Sequence, residues 1–486
     1  MAAEAANPST TTKLLDRLPC PSPDYASPSG RPSGGGIGGL TLALALSRYP
    51  DIEVQIYEAA KSLSEVGAGV GIFPRPWKIV QLLGLDHDLA MTCETKPVEG
   101  PVAGFNYRKS DQGAGFAFST LVTNGSLLTF HRADFQNVLL SHLPSSTRIH
   151  MSKRLHTFVQ RPSGPTELVF EDGTRSFCDV LVGADGLKSN TRRAFLSERI
   201  RWMQDQGRWQ EAREIETCIE PVWSGCTAYR ALFPAERLRA LAPSHQVLTK
   251  GTQYLGKGAF VLGYPIQNGK IINFVAFDFR HELEGTPYGG PWMSLGDKSQ
   301  FAHLFENWEP DVQLLIQCVD QAATWAIHTV KPLRSFVSGS VALLGDAAHA
   351  MQPHQGSGAG QAMEVRSAVH SIAGLVPAHA SLRQDAYILA TILGDASTTR
   401  ETLGRSLRIY DEIRRPAAQH IASASRLNGR YFSFEEDPMD GLEGQQLWDR
   451  LQHLYQRVVK NWEWAWTTTI DDQVKEALRQ LKRASR

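Results

Sequence analysis

Apolar residues fall into distinct patterns along this chain. From Leu40 to Tyr49 they recur every three to four places, with Leu40, Ala43 and Leu44 on one side, which predicts a helix. Elsewhere they form short unbroken runs. Asp179-Val180-Leu181-Val182-Gly183 and Ser340-Val341-Ala342-Leu343-Leu344-Gly345 have the length and content of strands buried on both faces of a parallel sheet. Ile52 to Tyr57 predicts another short strand, ending in Glu58. Between about 220 and 290 three stretches suit an antiparallel sheet: Tyr229–Phe233, Ala259–Tyr264 and Ile271–Phe277. The tail, about 400–486, reads as mainly helical and ends in a mixed-charge helix, and no internal repeat is visible.

Composition narrows the function classes. Lys+Arg and Asp+Glu are both 50, so the formal net charge is zero, and no basic run stands out. That argues against gripping nucleic acid or an anionic membrane as the main activity. No stretch approaches the roughly 20 apolar residues of a membrane span, and the start has no basic or apolar leader region, so a cytoplasmic protein is expected. The six cysteines are scattered, with no Cys-x-x-Cys and no zinc spacing; free thiols and no metal site are expected.

The candidate chemistry begins at a glycine cluster. Gly34-Gly35-Gly36-Ile37-Gly38-Gly39 fits G-x-G-x-x-G and opens the predicted helix, and Glu58 follows Gly39 by 19 residues at a strand end. Such glycines let the backbone approach a pyrophosphate at a helix N-terminus, and the acid reaches a ribose hydroxyl. Two more glycine-acid motifs follow the buried strands. They are Gly183-Ala184-Asp185-Gly186-Leu187-Lys188-Ser189 with Arg192, and Gly345-Asp346 through Pro353, which leads into Gln355-Gly356-Ser357-Gly358-Ala359-Gly360.

In this order the three motifs resemble those of the group A FAD-dependent aromatic monooxygenases, in particular the salicylate-hydroxylase-like fungal branch, over about residues 34 to 470. The resemblance implies an α/β fold: a dinucleotide-binding, Rossmann-like FAD domain, an antiparallel β-sheet substrate domain and a helical C-terminal tail. It implies FAD as a tightly held cofactor, NADPH or NADH as reductant, O2 and a small aromatic substrate. Gly34, Gly36 and Gly39 would hold the pyrophosphate and Glu58 the adenosine ribose. Gly67-Ala68-Gly69-Val70-Gly71 matches a second glycine loop near the flavin, represented here by Gly71. Arg132, in Phe130-His131-Arg132-Ala133-Asp134, matches an arginine that contacts FAD. Asp346 would bind the ribityl hydroxyls, and the amides around Gly358 and Ala359 would face the flavin ring. Asp185 belongs to a motif serving FAD and NADPH together. For each acid there is an ordinary alternative, since an Asp after a strand also caps a helix. His349 and His354 read as loop supports rather than catalysts.

The implied reaction places one oxygen atom on an electron-rich ring, favoured when the substrate is a phenolate. A cation beside a phenol favours the charged form. In some fungal members that dearomatise phenols an arginine and a tyrosine on adjacent strands do this; the matching positions are Arg230, in Ala228-Tyr229-Arg230, and Tyr264, in Gly263-Tyr264-Pro265. Two alternatives stay open: a flavin epoxidase or oxidative cyclase, which has no phenolate to hold, and a non-functional remnant with a damaged FAD site.

Two breaks in the pattern motivate the last alternative. The fingerprint normally follows an apolar strand, whereas Pro28-Ser29-Gly30-Arg31-Pro32-Ser33 precedes it. The helix after the third glycine loop is expected to continue from Glu364 into Asp-Ala, yet Asp385-Ala386 comes only later. Removing 365–384 restores one helix from Gln361 to Leu393, so this segment reads as a retained intron or a true loop insertion. The expected organisation is therefore a disordered or mis-called 1–33; an FAD-binding domain at 34–210, with part of the substrate region near 95–125; a substrate-binding sheet at 211–325; the second part of the FAD-binding domain at 326–400, with an insertion at 365–384; and a helical region at 401–486.

Overall fold

The computed structural model describes residues 35–63, 69–93, 95–161, 164–363, 385–468 and 471–484. Gly34, the segment 1–33, Gly67-Ala68 and the insertion 365–384 lie outside the described residues.

Two buried helices lie side by side at the centre of the nucleotide-binding half. One is Ile37–Leu46, starting three residues earlier than its periodicity predicts. The other is Asp385–Gly394, in which every residue is buried. A helix that is apolar on all sides has no solvent face and must be enclosed. These two pack on each other, and Gly358–Met363 packs on both. Around them stand two parallel strand pairs. Gln55–Tyr57 pairs with Arg148–His150, and Leu181–Gly183 pairs with Val341–Leu343. Among the described residues no ladder joins the two pairs.

The other half is an eight-stranded sheet. In spatial order its strands are Met293–Asp297, Gln321–Thr329, Val222–Pro234, Ile271–Phe279, Ala259–Ile266, Thr252–Gly256, Pro101–Lys109 and Phe116–Asn124. All neighbours are antiparallel except Thr252–Gly256 against Pro101–Lys109. The three stretches read as strands from sequence are its central members, and the hairpin at 101–124 joins from the first part of the chain. Side-chain alternation gives the sheet two apolar faces. Ala231, Phe274, Val261 and Tyr254 face Phe301, Phe305 and Leu315. Ala228, Phe277, Phe260 and Leu255 face Phe432 and the helix Gly444–Trp462.

The helical tail does not form a separate body. The 30-residue helix Leu403–Phe432 buries Leu407, Tyr410 and Ile413 in the nucleotide-binding core and Ile421, Tyr431 and Phe432 against the sheet. Ala212 and Ile215 pack in the first core, and the strand Gln321–Thr329 is part of the sheet.

The longest strand, Val222–Pro234, carries a register shift between Trp223 and Cys226. There Gly225 has φ of 71°, and a Cβ would lie 2.4 Å from the Arg280 carbonyl oxygen. Such bulges re-aim a strand. Gly225→Ala is expected to lower unfolding stability by about 1–3 kcal/mol, read by denaturant titration.

Candidate active site

The glycine turn, the strand-end acid and a nearby helix form one cluster. Glu58 is fully buried. Its Oε2 accepts the Gly35 amide at 2.8 Å and its Oε1 accepts the Ala60 amide at 2.7 Å. A carboxylate has further lone pairs for a hydroxyl. A Cβ at Gly35 would stand 2.8 Å from Glu58 Oε2, so this close approach needs glycine. Gly36 caps the helix Ile37–Leu46, and Gly39 lies in its first turn. Gly38 provides the close packing, since a Cβ there would meet Leu344 at 2.7 Å. From the helix Arg132–Ser141, Gln136 donates to the Gly35 carbonyl at 2.6 Å. Sequence reasoning stopped at Arg132; Gln136, four residues on, shares its helix face.

Strand Gly69–Ile72 carries Gly71 and pairs with Leu128–His131, which leads into Arg132. A Cβ at Gly69 would be 3.6 Å from the Tyr264 hydroxyl. The second glycine loop therefore touches both the Arg132 motif and the large sheet.

The second motif is tied up in local structure. Asp185 Oδ2 accepts the Thr191 amide at 2.8 Å and the Thr191 hydroxyl at 2.9 Å, and Ser189 Oγ donates to Oδ1. Ser189 caps the helix Asn190–Asp205. The capping alternative describes what the Asp185 carboxylate does here. Buried Arg192 donates to the carbonyls of Leu187 at 2.7 Å, Ala347 at 3.1 Å and Ile219 at 3.3 Å, fixing this loop to the third motif. Burial lowers its guanidinium pKa, opposed by Asp185 and Glu220.

The third motif is held by buried charge. Gly345 has φ of 61°, a conformation suited to glycine. Its amide donates to Asp385 Oδ2 at 2.8 Å. His349 Nε2 binds the same oxygen, and Arg414 Nε donates to Oδ1 at 2.8 Å. Burial alone would raise the Asp385 carboxyl, but His349 and Arg414 outweigh it and hold it well below the usual carboxylate range. Arg414 also reaches Gln361 Oε1 at 3.5 Å, so the helices on either side of 364–384 share one partner. Beyond this turn, Ser425 Oγ donates to the Gln352 carbonyl at 2.6 Å and accepts the Gln355 amide at 3.2 Å. His354 binds Gln352 Oε1 at 3.1 Å inside a cage of Phe260, Phe277 and Phe279. Both histidines are thus structural supports. Arg414 and Ser425 were not read from sequence; they sit on a long helix with no motif.

Arg230 and Tyr264 lie on one face of the sheet, but their strands are not adjacent as expected: Ile271–Phe279 runs between them. Arg230 is opposite Val275, Tyr264 is opposite Asn273, and Val275 and Asn273 are two residues apart. Burial lowers the Arg230 pKa, with Tyr264 opposing and Arg132 reinforcing the fall. Burial raises the Tyr264 hydroxyl, while Arg230 and Asn273 pull it down. Arg230 therefore feels the field of both Tyr264 and Arg132.

Two helix starts near these motifs are unobstructed. A Cβ at Gly36 or Gly358 would meet nothing within 4 Å, so both helix starts border open space. Asp346 is the one exposed residue between Val341 and Ala350. Ala359, next to Gly358, is half-buried against the core around Ile37. Among the described residues no helix is long and apolar enough to cross a membrane, and no disulfide joins any two of the five described cysteines.

Comparison with known proteins agrees with this geometry. Residues 33–247 match a family model described as an FAD binding domain. The chain is 34% identical to the FAD-dependent monooxygenase str9 of Strobilurus tenacellus, over 92% of this chain and 96% of that protein. It is 33% identical to a salicylate hydroxylase of Pseudomonas putida, over 92% and 94%. A solved salicylate hydroxylase substrate complex superposes with a TM-score of 0.72 at 26% identity, covering 91% of this chain and 96% of that one. The expected α/β fold, with its FAD-binding part, large sheet and helical tail, is thereby borne out.

Two outcomes are expected. Asp385→Asn removes the anion shared by Arg414 and His349, and should destabilise the fold by about 3–5 kcal/mol and weaken FAD retention, read by denaturation and flavin absorbance. His354, pushed down to about 3 chiefly by burial, stays neutral in the folded state, whereas an unfolded histidine takes up a proton below about 6.5. Its contribution is thus complete above pH 6.5 and falls with acid. At pH 5 the loss is about 2 kcal/mol, and a His354→Leu variant should show a shallower acid slope in stability.

Proposed function

The chain belongs to the FAD-dependent monooxygenases of the salicylate hydroxylase type, and from that membership we propose that it uses NAD(P)H and O2 to hydroxylate a phenolic ring in fungal secondary metabolism. The observation that carries this reading is that half-buried Arg230 and Tyr264 share one sheet face, with the Tyr264 hydroxyl beside Gly69. Bound FAD would pass two electrons from NAD(P)H to O2, placing one oxygen atom on the ring while the other leaves as water.

The chain's own groups would divide the work. The turn at Gly36 and Gly39, with Gly34 ahead of it, takes the pyrophosphate, and Glu58 the ribose. Arg132, Gly71, Asp346 and the amides of Gly358 and Ala359 surround the flavin end. Asp185 shapes the loop between the FAD and NAD(P)H sites by holding Ser189 and Thr191. Arg230, desolvated, attracts an anion more strongly than an exposed arginine does, and so favours the phenolate of a bound phenol. Tyr264 orients that oxygen by a hydrogen bond. The aromatic packing of Phe105 on Tyr264 helps exclude water from the reacting ring.

The test is kinetic. Arg230→Met should lower kcat/KM on phenols roughly 10- to 100-fold, as expected for a lost hydrogen bond to a charged group. The cation lowers the phenol's pKa, so its removal should move the acid limb of the rate profile to higher pH. Flavin absorbance should be unchanged. Tyr264→Phe should cost less and leave that limb in place. A variant at Arg230 that keeps its full phenol rate would overturn the reading in favour of epoxidation or cyclisation, and a chain that stays colourless with excess FAD would mark a non-catalytic remnant.

A further inference from the structure

One buried amide on the substrate face has no role so far. Gln253 lies on the strand Thr252–Gly256 and is 3% exposed. Its side-chain oxygen is buried and has no hydrogen-bond partner among the described residues. Native proteins leave few such groups unsatisfied, and a ligand is one reason to keep one.

The ladder register places it. Gln253 is opposite Leu262, Leu262 is opposite Val275, and Val275 is opposite Arg230. These four residues form one row across the sheet, all on the same face. The row is three strand spacings long, about 14 Å between backbones. Leu262 and Val275 give it an apolar middle. Tyr264, two residues beyond Leu262, is the diagonal neighbour of Gln253, about 7–8 Å away by backbone. On the far side Tyr107 is opposite Gln253, and its hydroxyl also lacks a partner among the described residues. The row thus has a cation at one end, an amide with an unpartnered oxygen at the other and an apolar floor between.

Resting on the phenol reading above, we infer that Gln253 is a specificity residue that binds a second hydroxyl of the substrate ring, so that the substrate class is a dihydroxylated aromatic. An amide presents one acceptor and two donors. A hydroxyl can satisfy either end, whereas a carboxylate only accepts and would leave the amide oxygen unpaired. A methyl group in its place leaves the whole amide unsatisfied, which is where polar sites discriminate most strongly.

The experiment uses the full chain with FAD in excess. Product formation is measured with salicylate carrying a hydroxyl at position 4, 5 or 6, each against the methyl compound of the same shape. At one position the wild type should favour hydroxyl over methyl by roughly tenfold or more in kcat/KM. Gln253→Met should bring that ratio close to one, or invert it, with flavin absorbance and the Arg230-dependent acid limb unchanged. Should the Met variant fail to fold, Gln253→Leu is read in the same way. An unchanged ratio in a folded variant overturns the inference while leaving the phenol reading intact. A yellow wild-type protein that converts none of the compounds overturns both.

Discussion

The structure depends on one buried carboxylate. Asp385 lies in a helix without a solvent face, where an unpaired charge would be intolerable. Its two oxygens are taken by Arg414, His349 and the Gly345 amide. Three chain segments far apart in sequence are thus fixed at one point: the turn after the strand Val341–Leu343, the enclosed helix 385–394, and the long helix 403–432. A hydrophobic core of the same size could pack these elements in several registers. The charge cluster admits one, because each partner must arrive with its own donor in place. It also sets the Gly345 turn, and hence the exposed position of Asp346 next to it.

From that anchor the other half of the molecule is positioned by the long helix. Leu403–Phe432 begins in the core around the glycine turns and ends against the large sheet, so the distance between those turns and the sheet is set by a continuous helix rather than a linker. Ser425 and Asn461 complete the brace by holding the loop at 352–355, the Asn461 backbone carbonyl accepting from the Gln355 side-chain Nε2 at 3.0 Å. Tyr264 thereby faces Gly69, and Arg230 lies in the field of Arg132. A site assembled between two units needs this rigidity, because a displacement of about 1 Å costs rate steeply.

What could be read from sequence follows from what the chemistry demands locally. Glycines at a phosphate turn, an acid at a strand end and a short apolar run are local requirements, and Gly36, Glu58, Val341–Leu343 and the strands near 229, 260 and 272 were all legible for that reason. Gln136, Arg414 and Ser425 were not. Each acts through a partner tens of positions or more away, and its neighbours in sequence are ordinary helix residues. Asp385 was an intermediate case: it was recognised as the displaced end of a motif, but its meaning required Arg414. Asp185 shows the converse, a motif residue whose carboxylate is spent on Ser189 and Thr191.

The two breaks in the pattern differ in physical weight. The interruption after Met363 is bridged, since Arg414 binds both Gln361 before it and Asp385 behind it, and both flanking helices pack on Ile37–Leu46. Loop closure grows only slowly with length, so such a join tolerates an insertion cheaply. The break before the glycine turn falls outside the described residues. Among the described residues the parallel pairs at 55–57 and 181–183 stand in separate sheets, and Leu181 and Val182 are half-buried. Side chains hold the glycine turn, Glu58 on the Gly35 amide and Gln136 on the Gly35 carbonyl. Those two hydrogen bonds make the turn's position depend on the rotamers of Glu58 and Gln136 as well as on the sheet.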